Sequence, residues 1–509
     1  MTFPSRTRPI FATFVLAAEA CGTSNAHLPA PPPSDANATG QDAGDAIAET
    51  TSADTTSADT TSADTGSADT TIADTAIAET DEASTVDTGG IFTEAPHLPF
   101  PNVVDWGGKL ITAPKVVTIT FGSDPFAAQF AAFGVTAASS AWWDLVRVGD
   151  CDPTGASCVG DGPAGVSVAV SSAAASYTDS MQGAASTLQT ALSDLITAGT
   201  VPAPDANTIY VMYLPGATKI TMDPGVPSLS TPYNCPDTFG YHNSMSIGAS
   251  EVFYAVVLEC PVSGGITVLQ NSTETAAHEI LETATDSDGQ EFYIDTNDPG
   301  TWGWSDIQGG ELADLCDDPF GLGMDGFTEG GFLAQRIWSI PAAKAGKNPC
   351  VPVPTGEIYF NASPAGTAVL EIEVGASKTI EVDAFSDAPM SDWTLTAQDW
   401  TDVSTTYLSF SISGVTPGDA GPEVQVNNGS KVQLTVTLKA DPAGSSKGEA
   451  DGVLVSANGG AAPVTQAHFW PFIVLTPAAA TDAGIAKAKH HAPMIGRSPV
   501  RKGHRAKPR

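Results

Sequence analysis

The chain has 509 residues, with 21 Lys and Arg against 58 Asp and Glu, for a formal charge of −37. Nothing over most of its length would neutralise phosphates, which argues against a nucleic-acid partner. Only 16% of residues are charged, with 49 Gly and 38 Pro, and no apolar run approaches the ~20 residues of a membrane helix. An acidic, loop-rich, exported protein of several parts is the expectation.

Residues 1–26 read as an export signal. Arg6 and Arg8 precede the apolar stretch Ile10 to Ala18, followed by Glu19, Ala20 and Cys21. Cys21 before Gly22, Thr23 and Ser24 resembles a lipoprotein lipobox, with Ala18 and Glu19 as departures. Lipidated Cys21 would then tie the chain to a membrane at the cell surface, and simple cleavage after Ala26 is the alternative. Residues 27–95 form an acidic linker. Positions 46–80 hold seven pentads in register, such as TSADT, and no Lys or Arg occurs between residues 22 and 108. Such a segment buries little and repels itself, so an extended stalk is expected.

Residues 96–352 read as an α/β or α+β domain. Lys115 to Phe121 (KVVTITF), Val166 to Val170, Thr208 to Leu214 and Glu251 to Leu258 are strand candidates. A helix is expected from Asp124-Pro125 to about Val148, ending near Trp142 and Trp143. A second is expected from Asp179 or Ser180 to Gly199, with Leu188, Leu192, Leu195 and Ile196 on one face. Six cysteines fall between residues 151 and 350, an even set that reads as disulfides in an exported chain. Six allow 15 pairings; nearest neighbours (151–158, 235–260, 316–350) make the least demanding one. Residues 353–480 lose the helical signals. Val369 to Val374, Thr379 to Val382, Leu408 to Ile412, Lys431 to Leu438 and Gly452 to Val455 sit between turn residues, as in a small β-sandwich. Residues 481–509 form a basic tail with eight Lys and Arg from Lys487 onward.

One constellation can carry chemistry. Asn271 to Asp286 reads NSTETAAHEILETATD, with Ala277, Ile280, Leu281 and Ala284 as an apolar stripe, so a helix is expected. His278 and Glu282 are four apart and share a face. Glu279 stands where the general base of an HExxH helix stands. The pattern is HExxE, with a carboxylate as second ligand, and zinc accepts nitrogen and oxygen donors alike. A catalytic site needs a third protein ligand. Glu311 and Asp314, in ELADLC, are preferred to His242, in GYHN. A solvated helix face with only an intrahelical His–Glu contact is the plainer reading. Calcium at Asp286, Asp288, Gly289, Asp295 and Asp298 lacks the acid pattern of an EF-hand loop, so an Asp-Gly turn is preferred there.

TAAHEILETATD, GWSD and ELADLC resemble the exported bacterial proteins related to the plant phosphate-induced, exordium-like family. Trp142 and Trp143, Ile209 to Pro215, GYHNS, Tyr254 to Cys260 and FLAQRIWS (Phe332 to Ser339) also match, so the resemblance spans roughly residues 100–352. Ser287 departs from it, where Pro is usual. The resemblance implies a zincin-like fold for bacterial members, whereas plant relatives often lack the His–Glu pair and are linked to extracellular growth signalling. Two functions follow as expectations. One is an exported zinc-dependent hydrolase of peptidase type, acting on extracellular protein or peptide, with Glu279 as base and His278, Glu282 and Asp314 or Glu311 as ligands. The other is a non-catalytic surface binding or adhesion protein.

Overall fold

The structure, a computed structural model, describes residues 92–180, 186–223, 231–262, 265–287, 292–401, 405–414, 420–444, 449–459, 464–477 and 479. All of them fall in one compact unit that runs from Val86 onward. Cys21, the pentads and the basic tail lie outside the described residues, as do Asp288 and Gly289.

The chain enters through β1 (Val103–Asp105) and continues into β2 (Lys115–Phe121), as its Val/Thr/Ile alternation predicts. Six of the seven β2 residues are buried, because both faces of the strand are covered. The single helix expected up to Val148 is two, α1 (Ala127–Thr136) and α2 (Ala141–Val146). Ser140 separates them and caps α2 by accepting from the Trp143 amide.

After β3 (Val166–Val170) comes a second correction. Asp179 and Ser180 do not open a helix; they end β4 (Ser176–Ser180). The helix α3 (Thr187–Thr197) starts after Ser186, whose side chain accepts from the Gln189 amide. Asp179 is buried and accepts from the Tyr241 and Tyr254 hydroxyls at 2.8 Å each.

Then follow β5 (Thr208–Pro215), β6 (Lys219–Asp223), β7 (Thr231–Tyr233), β8 (Gly240–Ile247), β9 (Ser250–Glu259) and the long helix α4 (Val268–Thr285). The main sheet runs β3-β2-β5-β9-β8, parallel except for β8, which is antiparallel to β9. Strands β4, β6 and β7 form a separate small sheet. Alternate residues of β5 divide between two cores. Ile209, Val211 and Tyr213 pack with α1, α2 and α4, while Tyr210, Met212 and Leu214 pack with Leu188 and Leu192 of α3.

Beyond α4 the chain forms β10 (Phe292–Ile294), paired with β1, and α5 (Trp302–Gln308). The hairpin β11 (Gly326–Glu329) and β12 (Phe332–Gln335) follows. Next come β13 (Ile337–Trp338), α6 (Ile340–Lys344) and β14 (Cys350–Val351). Disulfides join Cys151 to Cys158, Cys235 to Cys260 and Cys316 to Cys350, the nearest-neighbour pairing.

The remainder is all β. One sheet orders β15 (Phe360–Pro364), β17 (Ser377–Ser386), β22 (Lys431–Leu438), β19 (Leu408–Ser413) and β20 (Ala420–Gly421). The other orders β16 (Val369–Glu371), β24 (Ala467–Leu475), β23 (Ala450–Ala457), β18 (Trp393–Asp399) and β21 (Glu423–Val426).

An aromatic seam joins the two parts. Trp304 of α5 stacks edge-on against Trp470 of β24 at 5.6 Å, and Phe100 meets both Trp470 (5.4 Å) and Trp338 (5.8 Å). His97 lies flat on Phe385 of β17 at 3.9 Å. One hydrophobic cluster therefore runs through both parts. The whole is a mixed α/β molecule, mostly strand, braced by three disulfides. Among the described residues no helix is long and apolar enough to cross a membrane.

Candidate metal centre

α4 begins with a capping box. The Thr267 side chain accepts from the Gln270 amide, and the Gln270 side chain answers the Thr267 amide. Every residue from Asn271 to Thr285 is buried. The solvated-face reading of HExxE therefore does not describe this helix. Ala276, Ala277, Ile280, Leu281 and Ala284 join the large core, while His278, Glu279 and Glu282 meet polar groups of β8 and of the Glu311–Asp314 segment.

His278 is fully enclosed, and its ring is oriented from outside. Its Nδ1 lies 2.7 Å from Gln335 Oε1. The Gln335 amide nitrogen donates to the Ala313 carbonyl (2.8 Å) and to Asp317 Oδ1 (2.9 Å), which turns its oxygen toward His278 as an acceptor. His278 Nδ1 is thus the donor, and Nε2 is left facing Glu282 Oε2 at 3.0 Å and Asp314 Oδ1 at 3.4 Å. Neither His278 Nε2 nor Glu282 Oε2 has a hydrogen-bond partner despite that short separation.

Glu282 Oε1 accepts from the Asp314 amide at 3.2 Å, which fixes the carboxylate against the downstream segment. Glu311 reaches the cluster because Gly309 (φ 106°) and Gly310 (φ 117°) turn the chain into it. A Cβ on Gly310 would stand 2.6 Å from the Tyr293 ring, so glycine is required there. On the other side, β8 brings in His242, opposite Ala255 of β9. Its Nδ1 lies 3.4 Å from Glu279 Oε2 and 3.6 Å from Glu282 Oε2. Its Nε2 lies 3.1 Å from the Asp286 carbonyl and 3.8 Å from Glu311 Oε2. The fold thus assembles His278, Glu279, Glu282, Glu311 and Asp314, and it adds His242 rather than choosing between them.

The electrostatics are one-sided. Among the described residues no Lys or Arg pairs with Glu279, Glu282, Glu311 or Asp314, all buried. Burial pushes the Glu279 carboxyl up. It pushes Glu311 and Asp314 far up, and the neighbouring carboxylates, led by Glu282, add to this. Burial works the same way on Glu282, but His278 and His242 outweigh it and hold that carboxyl down to about 2. Burial disfavours a charged His242, yet Glu279 and Glu282 push it up to about 10. His278 goes well above its ordinary value against burial, chiefly through Glu282 and Asp314.

Such a cluster is costly without a compensating cation. Both Glu279 oxygens, Glu282 Oε2, Glu311 Oε2, Asp314 Oδ2 and His278 Nε2 are buried without hydrogen-bond partners. A mixed nitrogen and oxygen donor set of this kind fits zinc or a similar divalent ion. The hydrogen bond from His278 Nδ1 to Gln335 is of the kind that orients a metal-binding histidine.

Sequence reasoning gave no role to Gln335 or Asp317, although Gln335 sits in the FLAQRIWS stretch. The Trp142 indole donates to the Gln335 carbonyl at 2.7 Å, so that core tryptophan braces the same residue. Of the calcium set, Asp295 and Asp298 accept from the amides of Asn297 and Gly300 in their own loop. No metal-binding grouping among the described residues includes either.

No protein-family model matches the chain, and no curated protein matches it. Among solved structures, a conjugative transposon lipoprotein from Bacteroides eggerthii is similar over 23% of this chain and 95% of its own, with 12% identity and a TM-score of 0.16. A likeness at that score carries no argument about fold or function.

Proposed function

We propose that this protein is an exported zinc-dependent hydrolase of peptidase type, zincin-like in its HExxE helix and held at the cell surface through lipidated Cys21. The observation that carries the reading is the convergence of His278 Nε2 and Glu282 Oε2, 3.0 Å apart and each without a hydrogen-bond partner. Asp314 Oδ1, 3.4 Å from the same nitrogen, is the favoured third ligand. Glu311 lies instead beside His242.

A bound divalent ion would supply Lewis acidity toward a scissile carbonyl. Glu279 is the base: it takes the proton of the attacking water and delivers it to the departing amine as the C–N bond breaks. Burial raises its carboxyl, which suits a group that must both accept and return a proton. His242 Nδ1 stands 3.4 Å from Glu279 Oε2. The resemblance to exordium-like proteins agrees with a zincin-like site.

Burial favours a second reading. Glu279 has no exposed surface, as suits a structural metal in a surface binding or adhesion protein. Glu279→Gln separates the two in the full chain, with denatured casein as probe. As a hydrolase, the variant keeps its metal and loses about two to four orders of magnitude in rate. A metal-loaded wild type that cleaves nothing would support the binding protein.

A further inference from the structure

We propose that the cluster holds two divalent ions rather than one, with the Glu282 carboxylate shared between them. This inference rests on the metal reading above. The donor atoms fall into three groups, each mutually within 4.8 Å: His278, Glu279 and Glu282; His278, Asp314 and Asp317; and His242, Glu282 and Glu311. The two histidines share no group, and Glu282 belongs to one group of each histidine.

Zinc with bonds of about 2.0–2.1 Å in tetrahedral geometry sets its donors about 3.3 Å apart. Separations of 3.0 and 3.4 Å from His278 Nε2 to Glu282 Oε2 and Asp314 Oδ1 match one such ion. That ion leaves Glu311 unanswered. Glu311 is 3% exposed, and its Oε2 has no hydrogen-bond partner. It lies 3.8 Å from His242 Nε2, while His242 Nδ1 stands 3.6 Å from the shared Glu282 oxygen. His242, Glu282 and Glu311 each offer one donor atom within 4.8 Å of the other two, and a second ion would sit among them.

The carboxyl groups of Glu279, Glu282, Glu311 and Asp314 share this buried space, and among the described residues their basic partners are His242 and His278, with no Lys or Arg paired to them. Glu279, outside the proposed ligand sets (His278, Glu282, Asp314 and His242, Glu282, Glu311), remains available as base.

The test is a zinc count on the full chain, stripped with a chelator, reloaded with zinc alone, separated from excess metal and measured by elemental analysis. Two zinc per chain are expected, with X-ray absorption showing a metal–metal distance of about 3.5–4 Å. His242→Ala and Glu311→Gln should each leave one. One zinc per folded wild-type chain would overturn the second ion and leave the proposed function standing. None would overturn both. Two zinc ions without metal–metal scattering, or still present in His242→Ala, would overturn the shared centre. The wild-type count decides even where a variant fails to fold.

Discussion

Gln335 spends its amide hydrogens on the Ala313 carbonyl and Asp317, so only its oxygen is left for His278 Nδ1. The orientation of the nitrogen proposed as ligand thus depends on a residue outside the proposed ligand set. Gln335→Leu should lower zinc affinity about 10–100-fold, while Gln335→Glu, which keeps an acceptor, should retain most of it. Competition against a chelating dye reads the difference. Equal affinity in Gln335→Leu would show that the ring is held some other way. At this scale the sequence was informative where spacing alone decides. His278 and Glu282 share a face because they are four apart on a helix. Gln335 lies 57 residues further on, and only the fold brings it to Nδ1.

Gly240 opens β8 where that strand passes under α4. A Cβ there would stand 2.5 Å from Thr275 Cγ2, 2.8 Å from the Val256 carbonyl and 3.0 Å from Glu279 Oε1. The missing side chain lets α4 come close enough to β8 for Glu279 to meet His242. Gly240→Ala should therefore destabilise the fold by about 1–3 kcal/mol through overpacking. Under the proposed mechanism it should also lower hydrolysis, because the added methyl displaces the base Glu279 and the carbonyl cannot yield. Thermal unfolding and cleavage of denatured casein measure the two effects, and an unchanged midpoint would refute the close approach.

Strand and helix legibility followed the same logic. KVVTITF alternates and is a strand, and Glu311 and Asp314 of ELADLC lie beside the histidines and Glu282. Asp179 or Ser180 reads as the start of a helix, yet Asp179 is buried under two tyrosine hydroxyls that are more than sixty residues away in the chain. His242 comes to the site through the β8–β9 register, which no local pattern reveals.

At the scale of the molecule, the loss of helical signals near residue 353 divides the chain in sequence, whereas the structure joins the parts through Phe100, Trp304, Trp338 and Trp470. These rings come from segments too far apart for periodicity to link. Trp470→Ala should cost about 3–5 kcal/mol, and calorimetry should show the α/β part and the sandwich unfolding in one transition. Two separated transitions in the wild type would mean that the seam does not couple them. The coupling is also why metal is best counted on the whole chain rather than on an excised α/β part.

The most direct test of the metal centre is elemental analysis of the full chain, purified from an oxidising compartment, beside Glu282→Ala. Glu282 touches both histidines, so its removal strikes the site however many ions it holds. The account predicts at least stoichiometric zinc in the wild type and none in the variant. A folded wild-type chain that stays free of metal after exposure to zinc, or a Glu282→Ala chain that retains its full complement, would contradict it.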